Sequence, residues 1–484
     1  MGDALRVEKL NEVYNRVHCE PWLAKELDSF FTFKAPGYQF MPLYKSGIWD
    51  GNVRLFKLRG HLLYVGLNQY LEQFCNERSY DLKYESDYSA DEFSVKEAAE
   101  FISSLSLPFE VRDYQQEAFI YAVRNKRAML LSPTASGKSL IIYLITRWFN
   151  SKTLLIVPTT SLVHQMYTDF ESYGYDSKTH CHRIYSGQEK WPDHDPKVVI
   201  TTWQSIYKLD KSWFDQFDVV IGDEAHLFKA KSLTSIMEQL EDCKYRFGFT
   251  GTLDVAQTHK LVLEGLFGPV KKVTTTKELI DQKHLSEFKI KSIVLKYSDD
   301  DRKAMVKKKY QEEMDFIVGN TKRNRFIRNL VASLEGNTLL LFQYIEKHGN
   351  ILYTDLQAEF KDRQIYYVHG GVEGEDREDI RKLVEMDQNA VIIASYGTFS
   401  TGVNIKNLHN IIFASPSKSR IRNLQSIGRG LRLGDNKTNC TLFDIADDLS
   451  WQSKKNYTLE HFIERMKIYN EERFNVKIYT VKLK

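Results

Sequence analysis

Short apolar runs recur along the chain at the spacing of a β/α alternation. Residues 128–131, 153–157, 198–202, 218–222 and 246–250 each read as a buried strand, with helical stretches such as 161–172 between them. The alternation restarts at 338–342, 364–368, 390–395, 410–414 and 441–445. Apolar strands spaced by helices predict parallel sheets covered on both faces, here an α/β fold of two lobes. The first hundred residues break the pattern. They gather aromatics (Trp22, Phe30, Phe31, Phe33, Tyr38, Phe40, Tyr44, Trp49) and a run that turns at Arg59-Gly60, a hairpin signal within a small α/β module. Trp49 is placed in that module's core. The polar, acidic stretch 80–100 reads as a linker. The boundaries are then 1–100 for module and linker, 101–283 for lobe 1 and 284–484 for lobe 2. Between the two runs of alternation, in the charged stretch 274–328, the basic runs 307–309 and 321–325 read as solvated helix faces. The chain closes with an amphipathic helix, Leu459, Phe462, Ile463, Met466 and Tyr469 on one side, and a strand at NVKIYTVKL.

Composition narrows this only a little. A chain of 484 residues has room for about three domains. Its net charge of +3 does not demand nucleic acid, so a basic surface has to be argued locally. Cys19, Cys75, Cys181, Cys243 and Cys440 are scattered without a CxxC pair, as free thiols of a reducing cytoplasm would be. There is no apolar run of membrane-spanning length, and the N-terminal residues lack a signal pattern, so neither is expected.

The chemistry centres on AMLLSPTASGKS, residues 128–139. A strand, a loop of small residues and a helix N-terminus together form an anion site. The loop Pro133, Thr134, Ala135, Ser136 and Gly137 would wrap phosphates. Lys138 adds a cation for the β- and γ-phosphates of ATP, and the Ser139 hydroxyl is placed for Mg²⁺. Ser132 stands where the P-loop pattern has its first glycine, a tight turn that serine makes at some cost. The alternative is a helix N-capped by Ser136 beside an exposed lysine. On the P-loop reading, removing Lys138 from an exposed loop leaves the fold intact. After the strand at 218–222 come Asp223 and Glu224, where open α/β sheets bind ligands. Asp223 would share the Mg²⁺ with Ser139, and Glu224 would orient and deprotonate the attacking water; the alternative is a surface acidic turn. In the second lobe Arg429 and Arg432 are three residues apart on one helix face, which suits a γ-phosphate presented by another domain. In the module, alternation puts Lys57 and Arg59 on one face and Arg54 on the other, making Lys57 and Arg59 a candidate phosphate-backbone pair. The competing view is a module whose aromatics form its own core and whose basic residues are ordinary surface. His180-Cys181-His182 alternates across an extended chain with no further Cys/His cluster nearby, so zinc is set aside.

These motifs, in this order, resemble superfamily 2 helicases and translocases over about 110–435. VRDYQ resembles the adenine-reading Q motif, with Gln115 at the purine edge. SPTASGKS resembles motif I, VPTTSLVHQ motif Ia and TTWQS the DNA-contact motif after it. DEAH resembles motif II, Thr250-Gly251-Thr252 motif III, LLLFQY motif IV, STGVN motif V and QSIGRGLR motif VI. GIWDGNVRL, TTWQS and ASYGTFSTGVNIKNLH are similar to the phage UvsW-type ATP-dependent DNA helicases, which extends the resemblance over nearly the whole chain. It implies two RecA-like lobes facing each other across an ATP–Mg²⁺ cleft, with the small N-terminal α/β module as a DNA grip. It implies catalytic roles for Lys138, Asp223, Glu224, Gln425, Arg429 and Arg432, and a nucleotide contact at Gly402. It places Pro158, Thr159, Thr202 and Thr401 near DNA phosphates. The implied activity is a monomeric 3′–5′ helicase on branched duplex, forks, Holliday junctions and R-loops, working in recombination, replication and repair in the cytoplasm of an infected bacterium. Recombination and single-strand-binding proteins are the implied further partners. Ala135, Asn404 and the TGT of motif III depart from the usual residues. An RNA helicase, or an ATP-controlled clamp that separates no strands, are the alternative readings; no nuclease constellation supports a restriction subunit.

Overall fold

The computed structural model describes residues 4–185, 187–192, 194–253, 257–371, 374–401, 405, 407–417, 419, 427–428, 431 and 439–483. The chain divides into two compact units, residues 1–132 with 137–273 and residues 133–136 with 274–484.

The first unit opens with β1 (Ala4–Lys9), β2 (Tyr14–His18), β3 (Thr32–Lys34), β4 (Asn52–Arg54), β5 (Phe56–Lys57), β6 (Leu62–Tyr64) and β7 (Asp81–Tyr84). They form a sheet of order β5-β6-β2-β1-β7 and a separate ribbon β3-β4. Alternation along β1 and β2 turns Leu5, Val7 and Val17 inward, where the helices Pro21–Phe30 and Asn68–Arg78 add Leu23, Leu27, Leu71 and Phe74. The expected hairpin is β5-β6, and its turn uses positive φ at Gly60 (88°) and His61 (52°). Arg59 lies in that turn, so it does not share a strand face with Lys57. Trp49 is half-buried, with Nε1 donating to Asn52 O at 2.9 Å, and not a core residue. The supposed linker also folds. β7 pairs parallel with β1, and a capping box of Ser94 and Glu97 starts the helix Val95–Ser104.

Lobe 1 follows with β8 (Arg127–Leu131), β9 (Thr153–Val157), β10 (Cys181–Ile184), β11 (Val198–Thr202), β12 (Val219–Asp223), β13 (Tyr245–Thr250) and β14 (Val270–Lys272). All pair in parallel, in the order β10-β11-β9-β12-β13-β8-β14. The five apolar runs named from the sequence are the five central strands. Within this unit the module is packed against lobe 1. A Cβ at Gly66 would lie 1.9 Å from Glu264 O, so only glycine lets the two backbones meet there. Tyr64 Oη donates to Glu238 at 2.7 Å, and Tyr14 bonds to the same carboxylate.

The second unit contains β15 (Glu287–Lys296), β16 (Thr338–Phe342), β17 (Ile365–Val368), β18 (Val391–Ser395), β19 (Asn410–Phe413), β20 (Asn439–Asp448) and β21 (Asn475–Lys482). They make a second parallel sheet, β17-β18-β16-β19-β20-β15-β21. β15 was hidden in the sequence because its charged residues Glu287, Lys289 and Lys291 alternate with buried Phe288, Ile290 and Ser292. The run 321–325 is only partly solvated. Arg323 is fully buried, and its Nε and Nη2 donate to Asp447 at 2.7 and 3.0 Å. Lys307, Lys308 and Lys309 are exposed as expected, but in the turn between the helices Asp299–Met305 and Tyr310–Gly319, not on a helix face.

Candidate active site

Strand order collects the motifs of lobe 1 on one edge. In the series β11-β9-β12-β13-β8, the C-terminal ends carry Thr202, then Pro158 and Thr159, then Asp223, Thr250 and Ser132. The edge is stitched by Ser132 N donating to Thr250 O at 2.8 Å. Ligands of open α/β sheets bind at this end of the strands.

The loop after β8 has the geometry of a phosphate cradle. Gly137 is the N-cap of the helix Lys138–Phe149, at φ 78°, and has no side chain to offer the helix N–H groups. Ser136 does not cap; its Oγ donates to Pro133 O at 2.7 Å. A Cβ at Gly137 would fall 2.3 Å from Gln115 Nε2, so the Q-motif glutamine lies directly against the loop. Gln115 Oε1 accepts the backbone N–H of Arg112 at 3.0 Å, which fixes its amide. The cost expected at Ser132 falls elsewhere. Ser132 is not among the residues with positive φ, whereas Ala135 sits at φ 66°. An alanine in the left-handed region costs about 1 kcal/mol or more, which a glycine would not incur.

Two acids and a lysine meet at the centre. Lys138 Nζ lies 3.1 Å from Glu224 Oε1 and 3.7 Å from Asp223 Oδ1. Burial would raise the Glu224 carboxyl, but Lys138 and His226 outweigh it and hold it down to about 2. Burial raises Asp223 above the usual range, against the pull of Lys138. His226 Nδ1 stands 3.3 Å from Glu224 Oε2 and 3.0 Å from Thr250 Oγ1, and Thr250 Oγ1 donates to Thr252 O at 2.8 Å. Polar contacts therefore run unbroken from Lys138 to motif III. The importance of His226 as the link was not legible from the sequence, since its partners lie on another strand.

The residues present suit Mg²⁺. Asp223 Oδ1 is buried and makes no hydrogen bond, and the Ser139 hydroxyl stands in the first turn of the helix Lys138–Phe149. Among the described residues no group of three His, Cys, Asp or Glu side chains has the arrangement to hold a metal ion by itself. Mg²⁺ needs no such cage, because one or two carboxylates and substrate phosphates satisfy it.

Other predicted residues are placed as follows. Pro158 and Thr159 are half-buried, with Thr159 capping the helix Thr160–Ser172. Thr202 is buried and its hydroxyl meets Ser205 Oγ at 2.9 Å. Lys57 Nζ is 3.3 Å from Glu238 Oε1 and also contacts Tyr14 Oη, so its charge is shared with lobe 1. Arg59 is exposed, and Arg54 pairs with Asp50 at 2.5 Å. Thr401 ends the helix Tyr396–Thr401, and its side chain is outside the described residues. Gly402, Gln425, Arg429 and Arg432 also lie outside the described residues. No helix among the described residues is long and apolar enough to cross a membrane.

Two parallel α/β lobes, a P-loop and an Asp-Glu-Ala-His edge define a nucleic-acid-dependent ATPase of the helicase class. Three family models match in chain order: the N-terminal region of the DNA helicase UvsW over residues 5–85, the res subunit of type III restriction enzymes over 108–255, and the helicase conserved C-terminal domain over 321–434. The chain is 36% identical to the ATP-dependent DNA helicase uvsW of Enterobacteria phage T4, covering 97% of both chains. The crystal structure of T4 UvsW matches with a TM-score of 0.51 and 34% identity, covering 99% of this chain and 100% of that one. A DNA 3′-5′ translocase, XPB2 of Sulfurisphaera tokodaii, is 24% identical over 68% of this chain and 82% of its own. The chain belongs to the UvsW family of ATP-dependent DNA helicases.

Proposed function

We propose that this enzyme translocates 3′ to 5′ and remodels branched DNA, including forks, Holliday junctions and R-loops, in phage recombination, replication and repair. The polarity is supported by the resemblance to XPB2, and the branched substrates by the resemblance to UvsW across the whole chain. The proposed setting is the cytoplasm of an infected bacterium, with the protein acting as a monomer alongside recombination or single-strand-binding proteins.

The observation that carries the chemistry is the lysine shared by two acids. Gln115 reads the adenine, and the loop Pro133, Thr134, Ala135, Ser136 and Gly137 wraps the phosphates. Ser139 and Asp223 would hold Mg²⁺, which would supply charge neutralisation at the phosphates. Lys138 can exchange its carboxylate partners for the β- and γ-phosphates. Glu224 then loses the cation that keeps it a weak base, so its basicity rises as the substrate arrives. It orients a water and takes its proton, with His226 steering the carboxylate from Thr250. From lobe 2, Arg429 and Arg432 are assigned to the γ-phosphate charge, Gln425 to the attacking water and Gly402 to the nucleotide. Pro158, Thr159, Thr202 and Thr401 are assigned to one DNA strand, with Arg59 as the module's contribution, since Lys57 is held by Glu238.

The test is ATPase stimulation by single strand, duplex, fork, Holliday junction, R-loop and RNA, for wild type and Glu224→Gln. Branched DNA should stimulate most, and Glu224→Gln should bind ATP but lose turnover. Stronger stimulation by RNA would refute the substrate assignment, and near wild-type turnover in Glu224→Gln would remove Glu224 as the base.

A further inference from the structure

Tyr173 belongs to no motif, and the chemistry above does not use it. It directly follows the helix Thr160–Ser172 as its C-cap. The residue is 9% exposed, its ring held against Tyr143 at 5.2 Å and Phe109 at 5.6 Å between centroids. Its Oη lies 2.7 Å from Ser139 Oγ. Packing on two rings fixes the phenol, so the hydroxyl it holds is fixed too.

A serine hydroxyl has one proton and two lone pairs. Whichever of the two hydroxyls donates in this contact, Oγ keeps at least one lone pair that can face a cation, and the phenol fixes where that lone pair points. Tyr173 also ends the helix whose N-cap is Thr159, so a single 13-residue helix spans from the residue assigned to DNA to the residue that holds Ser139. Secondary structure of that length transmits a shift at one end to the other as a rigid element.

We propose that Tyr173 is a positioning residue for the Ser139 hydroxyl, holding it by one hydrogen bond so that a free lone pair is aimed at the divalent ion, and coupling the ion position to the helix Thr160–Ser172. This rests on the assignment of Ser139 to the Mg²⁺–nucleotide complex.

The test is equilibrium binding of a fluorescent, non-hydrolysable ATP analogue titrated with Mg²⁺. It uses the full-length wild type, Tyr173→Phe, Ser139→Ala and the double variant. Tyr173→Phe keeps the ring packing and deletes one hydrogen bond. The half-saturating Mg²⁺ concentration should rise about 2- to 10-fold, the effect of one such bond. In the Ser139→Ala background the same change should add nothing, because the two groups act as a pair. The Mg²⁺–analogue complex should slow amide exchange across residues 160–172 in wild type and not in Tyr173→Phe. Wild-type Mg²⁺ dependence in Tyr173→Phe, an undiminished effect in the Ser139→Ala background, or equal slowing of exchange in both chains would overturn the proposal. Wild-type Mg²⁺ dependence in Ser139→Ala would instead overturn the assignment of Ser139 beneath it.

Discussion

Replacing Lys138 with alanine tests the electrostatics of the site apart from its catalysis. An exposed loop lysine would leave the fold untouched when removed, but the Lys138 side chain is only 16% exposed and is the partner of two carboxylates. Glu224 is held from an ordinary 4.5 down to about 2, by Lys138 and His226 together against the cost of burial. At 1.36 kcal/mol per pH unit, that depression taken alone corresponds to about 3 kcal/mol, and the raised Asp223 carboxyl in the same site offsets part of it. Breaking a buried pair from one side costs about the same, roughly 3–5 kcal/mol. Lys138→Ala should therefore lose about 3 kcal/mol at pH 7 as well as ATP turnover. The sign of the pH dependence follows from a lowered carboxylate. The stabilisation is complete above pH 4.5, the unfolded value, and disappears as the pH falls toward 2, so the gap between wild type and variant should narrow below pH 4.5. Urea unfolding followed by fluorescence reads this lobe through Trp148, Trp191, Trp203 and Trp213. Adding Glu224→Gln to Lys138→Ala should recover much of the loss, because the stranded charge goes with it. Wild-type stability in Lys138→Ala, or no recovery in the double variant, would refute the picture of a lysine clamped by two acids.

Two further outcomes follow from backbone and surface geometry. Ala135→Gly should stabilise the protein by about 0.5–1 kcal/mol, since glycine enters the left-handed region freely; a lower urea midpoint would show that the methyl group matters more than φ. Arg59→Ala should reduce the slope of log K against log salt for fork binding by about 0.9 with unchanged stability, whereas Lys57→Ala should expose the module–lobe 1 junction to limited proteolysis. If Lys57→Ala flattens the salt slope and leaves the junction protected, the Glu238 contact does not restrain this lysine.

Several features were legible in the sequence because they are local. β8, the loop and the helix Lys138–Phe149 are consecutive, and the fall from apolar run to small-residue loop to apolar helix marks each boundary. The acids after β12 could be read in the same way, because the end of a parallel strand faces the ligand edge whatever its neighbours are. The central strands of both lobes are buried on both faces, so they stand out as continuous apolar runs. β15 is near the sheet's margin and alternates, and its charges concealed it.

Tertiary structure decided what depends on partners distant in sequence. Arg323 looked like part of a solvated run until Asp447, 124 residues away, took its guanidinium into the core. Lys57 looked free until Glu238, 181 residues away, shared its charge. Ser132 looked like the strained position of the P-loop, yet the strain sits at Ala135, because φ is set by the path the whole loop must follow between β8 and its helix. Periodicity along a chain records which side of an element avoids water. Which charge or hydroxyl it then meets is fixed by strand order and close packing, and the contact between Ser139 and Tyr173 exists only once both are folded.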